Sequence, residues 1–113
     1  MKCAIIESPY AGDIARNVKY AQLCMRDSLR RGESPYASHL LYTQPNVLDD
    51  DDPDERKLGI EAGFAWKHMN GVTTVFYVDY GWSGGMKLAL DYCQENNLPF
   101  TTRKLLTRLG DLG

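Results

Sequence analysis

The chain has few cysteines, and their arrangement rules out two common ways of stabilising a small domain. Cys3, Cys24 and Cys93 are odd in number and widely spaced, with no Cys-x-x-Cys pair. Neither histidine, His39 nor His68, is near one of them in sequence. A disulfide scaffold and a structural zinc site are therefore not expected, and the thiols read as buried and reduced. Long hydrophobic runs are also lacking. No stretch approaches the roughly 18 apolar residues that suggest a membrane span. The opening segment Met1-Lys2-Cys3-Ala4-Ile5-Ile6-Glu7 is too short in its apolar part, and too soon interrupted by Glu7, to read as a signal peptide. The expected setting is the cytoplasm, with no membrane partner. An excess of basic charge is missing too. The net charge is -2, with Asp49, Asp50, Asp51, Asp52, Asp54 and Glu55 supplying six negative charges within seven residues, so the remainder carries +4. That balance does not point to a nucleic-acid polymer, although a small anionic ligand needs only one or two cationic groups. The aspartate run reads as a solvated loop rather than a metal cluster. No metal and no cofactor is called for.

The sequence does contain a regular alternation of elements. At 113 residues the chain is expected to form one domain, over residues 1–113. Residues 2–7 read as a short buried strand, followed by a turn with Pro9 and Gly12. Residues 14–31 read as a helix with Ile14, Val18, Ala21, Cys24 or Met25, and Leu29 at three- and four-residue spacing. Asp13 is placed to cap it and Gly32 to end it. Residues 34–42 read as a second strand. Asp52-Pro53-Asp54-Glu55 is a helix start, with a capping aspartate, proline at the first helical position and glutamate at the third. That helix is expected over residues 53–70, burying Leu58, Ala62, Ala65 or Trp66, and Met69. Residues 72–79, rich in β-branched and aromatic side chains, are the clearest strand. A helix over residues 86–96 and an edge strand within residues 98–105 complete the pattern. The tail to Gly113 shows little periodicity. The order β-α-β-α-β-α-β predicts an α/β, three-layer Rossmann-like domain with a small, mainly parallel sheet in spatial order 2-1-3-4.

In such a sheet ligands bind beyond the carboxyl ends of the strands, where the winding reverses. Here that point lies between the first and third strands. The loops leaving them, residues 8–13 and 79–86, are also the most turn-rich in the chain. Ser83 can cap the helix that follows, and Gly84 and Gly85 leave backbone amides uncovered, which suits a phosphate or carboxylate.

The stretch Ile6-Glu7-Ser8-Pro9-Tyr10-Ala11-Gly12-Asp13, then Asn17, Ser38-His39-Leu40, Trp66 and Ser83-Gly84-Gly85-Met86, resembles the nucleoside 2-deoxyribosyltransferase-like proteins. The likeness is greatest to their short branch, often encoded by bacteriophages, and spans residues 2 to about 97. The resemblance implies a pocket for a nucleoside or nucleotide and cleavage or transfer of the N-glycosidic bond. A glutamate nucleophile would attack the anomeric carbon and an aspartate would assist proton transfer at the base. A loop aromatic would line the base pocket, and the small-residue loop would contact the sugar or 5′-phosphate. It also implies a homo-oligomer. A carboxylate facing developing oxocarbenium charge, with a second acid for the leaving base, is chemically sound.

The chain departs from that pattern at one position. The glutamate is expected about six residues after the loop serine, and counting from Ser83 gives Ala89. Asp91 lies two residues on, about 200° around the helix, and cannot replace it. Other carboxylates are Asp79 at the end of the third strand, Asp13 and Glu61. Asp79 is the catalytic candidate, with a turn cap as its ordinary role. The expected ligand-facing set combines Ser8, Pro9, Tyr10, Gly12, Asp13 and Asn17 of the first loop and helix with Asp79, Trp82, Ser83, Gly84, Gly85 and Met86. His39 is placed to reach the rim. Arg56, whose charge opposes the dipole of its helix, faces either an anionic ligand or its acidic neighbours. Tyr10 and Trp82 are placed to stack on a base. The resulting expectation is a protein that binds a nucleotide or nucleotide-derived molecule and sequesters it. A phage protein holding a host immune signal, such as a cyclic ADP-ribose derivative, would be one case. The alternative is an N-glycosidase or deoxyribosyltransferase.

Overall fold

Strand β1 (Lys2–Glu7) enters the interior with its apolar centre buried, and the chain then alternates as expected. In the computed structural model, which describes residues 1–105, the elements that follow are α1 (Ile14–Arg30), β2 (Glu33–Tyr36), α2 (Ser38–Leu41), α3 (Pro53–Ala65), a 3-10 turn (Trp66–His68), β3 (Thr73–Tyr77), α4 (Gly84–Glu95) and β4 (Phe100–Arg103). The reading of the tail beyond residue 105 lies outside the described residues. The four strands form one sheet in the order β2-β1-β3-β4, and every pairing is parallel. This is the expected α/β fold and strand order. Among the described residues no helix is long and apolar enough to cross a membrane.

Side-chain alternation along the strands separates two cores. Ala4, Ile6, Val75 and Tyr77 pack with Tyr20 and Cys24 of α1. On the opposite face Phe76 packs with Met86 and Ala89 of α4. Glu7, one residue beyond Ile6, therefore lies on the α4 side of the sheet.

Helix α1 is capped by Asp13, whose carboxylate accepts from the Arg16 amide at 3.1 Å. Its buried face is more polar than the apolar spacing predicts. Ile14 and Leu29 are exposed, while Asn17, Tyr20, Asp27 and Ser28 are buried. Each of these four has a hydrogen-bond partner. Tyr77 donates to Asp27 at 2.8 Å, and Ser28 donates to Glu33 at 2.7 Å. Arg103, from the far edge strand, donates to Glu33 at 2.6 and 2.8 Å. The polar network under α1 thus joins β2 to β4.

Three expected elements differ. The second strand ends at Tyr36, not Tyr42, and residues 38–41 turn into α2. The helix after Pro53 ends at Ala65, and its buried side is not the Leu58 stripe. Leu58, Trp66 and Met69 are exposed, and Gly63 is its one buried residue. The cause is close approach. A Cβ at Gly63 would lie 2.8 Å from Ser38 Oγ, so α3 meets α2 through a glycine that an apolar pattern does not register. Finally, α4 begins two residues early, at Gly84, because Ser83 caps it by accepting from the Met86 amide at 3.2 Å.

Candidate functional site

A cavity of about 180 Å³ opens at the carboxyl ends of β1 and β3, where the strand order reverses, and is closed by α2, α3 and the start of α4. Gly84 and Gly85 line it. As first-turn residues of α4 their amides have no carbonyl within the helix to donate to. A Cβ on either glycine would meet nothing within 4 Å, so this helix end is uncovered.

The loop after β1 is held from behind. Asn17 Nδ2 donates to the carbonyls of Tyr10 and Ala11 at 2.9 and 3.1 Å, and Gly12 turns the chain at φ +95°. This fixes Tyr10 on the cavity wall. Deeper in, Ser8 Oγ and His39 Nε2 share a hydrogen bond of 2.8 Å. Burial holds the His39 pKa below the ordinary histidine value, with Lys67 pushing the same way against Glu7. Burial thus favours the uncharged form of the ring. Glu7 also lines the cavity, and its Oε1 accepts from Lys67 Nζ at 2.9 Å. The Lys67 side chain is 1% exposed and reaches this partner from the 3-10 turn after α3. Phe64 and Ile60 supply apolar wall, and Asp50, Glu55 and Arg56 stand among the lining residues.

Of the residues expected at the site, Ser8, Tyr10, His39, Arg56, Ser83, Gly84, Gly85 and Met86 line the cavity together. His39 does so from α2 rather than from a strand. Pro9, Gly12, Asp13 and Asn17 are not lining residues; they shape the loop and the helix start behind it. Trp82 is not at the wall either. Its ring packs 5.0 Å from that of Phe76, against the core, so Tyr10 is the loop aromatic that remains available for stacking.

Asp79, the expected catalytic carboxylate, is engaged elsewhere. Oδ1 accepts from Tyr20 Oη at 2.5 Å, and both oxygens accept from the Leu105 amide at 2.9 Å. The Asp79 amide donates back to Tyr20 at 3.0 Å. Asp79 is a joint between β3, α1 and the chain after β4. Asp13 caps α1, and Glu61 is exposed on α3 outside the cavity.

The sequence reading missed Glu7 as a cavity carboxylate and Lys67 as its partner. A signal for Glu7 existed: a charge ending a buried strand needs a partner in the interior. Lys67 carried none, because its depth depends on where α3 gives way to a turn.

Neither the curated proteins nor the solved structures compared with this chain include a match. The chain belongs to the family described as a domain of unknown function (DUF7768), whose model matches residues 2–103.

Proposed function

We propose that the cavity binds a nucleotide or nucleotide-derived small molecule and holds it intact. The observation that carries this reading is the meeting, in one cavity, of an uncovered helix N-terminus at Gly84 and Gly85 with the aromatic walls Tyr10 and Phe64. The first suits a phosphate and the second a base. Binding without turnover is favoured by Ala89. It is 0% exposed and packs on Phe76 and Met86, so the helix position expected to carry a nucleophile carries a core methyl. Sequestration of a nucleotide-derived signal is the biological form of this reading, and a phage protein acting in the host cytoplasm would fit it. Self-association belongs to the same proposal, supported by Leu41, Leu58, Trp66 and Met69, each at least 43% exposed.

One observation favours the second reading, an N-glycosidase or deoxyribosyltransferase. Glu7 brings to the cavity the carboxylate that α4 lacks. Incubation with a panel of ribo- and deoxyribonucleotides, followed by denaturation and mass spectrometry, separates the two. Every ligand is expected to be recovered intact. Release of free base, abolished by Glu7→Gln, would replace the binding reading with the enzymatic one.

A further inference from the structure

The binding reading leaves Glu7 without a role. This carboxylate ends β1 on the α4 side of the sheet, with its side chain 14% exposed. Its Oε1 accepts from Lys67 Nζ at 2.9 Å. Lys67 is buried, so a Glu7 side chain that swung away would strand an ammonium in the interior. The carboxylate is thereby fixed in place. Among the described residues Oε2 accepts no hydrogen bond. It is also not sealed in the core, since Thr74 Oγ1 is the only buried side-chain oxygen or nitrogen there without a partner. Oε2 therefore keeps some exposed surface, on a residue that lines the cavity.

A carboxylate in an ion pair is an acceptor only. A ligand seated against it must bring donors, and a phosphate there would set like charge against like. The phosphate has its place at the Gly84 and Gly85 amides, and the base has the Tyr10 and Phe64 rings. The sugar lies between base and phosphate in any nucleotide, and a ribose carries two adjacent hydroxyl donors.

We infer that Glu7 accepts hydrogen bonds from the 2′- and 3′-hydroxyls of a ribose, so that the cavity takes ribonucleotides in preference to 2′-deoxyribonucleotides. This rests on the nucleotide reading, which by itself leaves the sugar open. The fixed, half-engaged carboxylate is the feature that selects the sugar.

The test is calorimetric titration of the full chain with paired ribonucleoside and 2′-deoxyribonucleoside 5′-monophosphates of each common base. Loss of one charge-assisted hydrogen bond predicts that the ribo form binds about ten-fold or more tightly than its deoxy partner. Glu7→Gln is expected to weaken the ribo form more than the deoxy form, which offers Glu7 only its 3′-hydroxyl, so that the preference for the ribo form shrinks. The comparison between ligands needs no variant, so it stands even where Glu7→Gln fails to fold. Equal affinity within every pair overturns the inference and leaves the nucleotide reading in place. A preference by base, altered by Glu7→Gln and without any preference by sugar, also overturns it. If no member of the panel binds, the inference and the nucleotide reading fall together.

Discussion

Thr74 shows how closely single side chains are matched to this interior. Its hydroxyl is buried with no oxygen or nitrogen partner among the described residues, and the group beside it is the weakly hydrogen-bonding Cys93 thiol. Valine has the same shape without the hydroxyl. Thr74→Val is expected to stabilise the fold by about 1 kcal/mol, the cost of an unsatisfied buried hydroxyl. In a domain of this size that raises the thermal midpoint by roughly 4–8 °C, and a lower midpoint would show that the hydroxyl has a partner. At the cavity, Ser83→Asp keeps a capping oxygen but adds a negative charge beside the Gly84 and Gly85 amides. Affinity for a nucleoside monophosphate is expected to fall at least about ten-fold, a loss of about 1.4 kcal/mol, while affinity for the matching uncharged nucleoside holds. Titration of both ligands checks this; an equal loss for the two would remove the phosphate from this loop. These residues also mark what the sequence could disclose. Ser83, Gly84 and Gly85 were legible because capping and bare amides are local properties. The hydrogen bonds of Asp79 to Tyr20 and the Leu105 amide were not legible, because they depend on elements far away in sequence.

Elements were legible where one physical signal dominated. Strand β3 was evident from its β-branched and aromatic run, and α3's start from Asp52 and Pro53, where the aspartate accepts from the Asp54 amide at 2.9 Å. Residues 38–41 were not, since Leu40 and Leu41 extend the apolar run of a strand while the chain turns into a short helix. The fit of α2 against α3 depends on Gly63, whose hypothetical Cβ lies 2.8 Å from Ser38 Oγ and 3.1 Å from Ser38 Cβ. A hydroxyl can rotate away, but a Cβ cannot. Gly63→Ala is therefore expected to push α2 outward, destabilising the fold by about 1–3 kcal/mol as overpacked sites do. Because α2 carries His39, the Ser8–His39 hydrogen bond is disturbed as well. The double variant Gly63→Ala with Ser38→Gly should recover most of the loss in chemical denaturation. Absence of recovery would place the strain elsewhere.

At the scale of the molecule, the strand order was legible from the alternation of elements, but the tie between the sheet's two edges was not. Glu33 on β2 and Arg103 on β4 are seventy residues apart and meet at 2.6 Å, with Ser28 and Tyr77 joining the same network. Hydrogen bonding from Arg103, opposed by burial and assisted by Ser28, lowers the Glu33 pKa from 4.5 to about 2. In the unfolded chain the carboxyl returns to its ordinary value, so the unfolded state takes up the proton first as pH falls. The contribution of Glu33 to stability is therefore full above about pH 5 and is lost progressively as pH drops toward 2. Glu33→Gln removes the charge that makes this pair strong. It is expected to cost about 2 kcal/mol at neutral pH, as loss of a charged hydrogen bond does. That deficit should shrink as the pH falls from 5 to 2, because the wild-type carboxyl is then being neutralised as well. Urea midpoints of both proteins across this range measure the deficit directly. A deficit that is constant with pH would mean that Glu33 holds the sheet edges by shape and neutral hydrogen bonding, and that the ion pair across the sheet adds nothing to acid resistance.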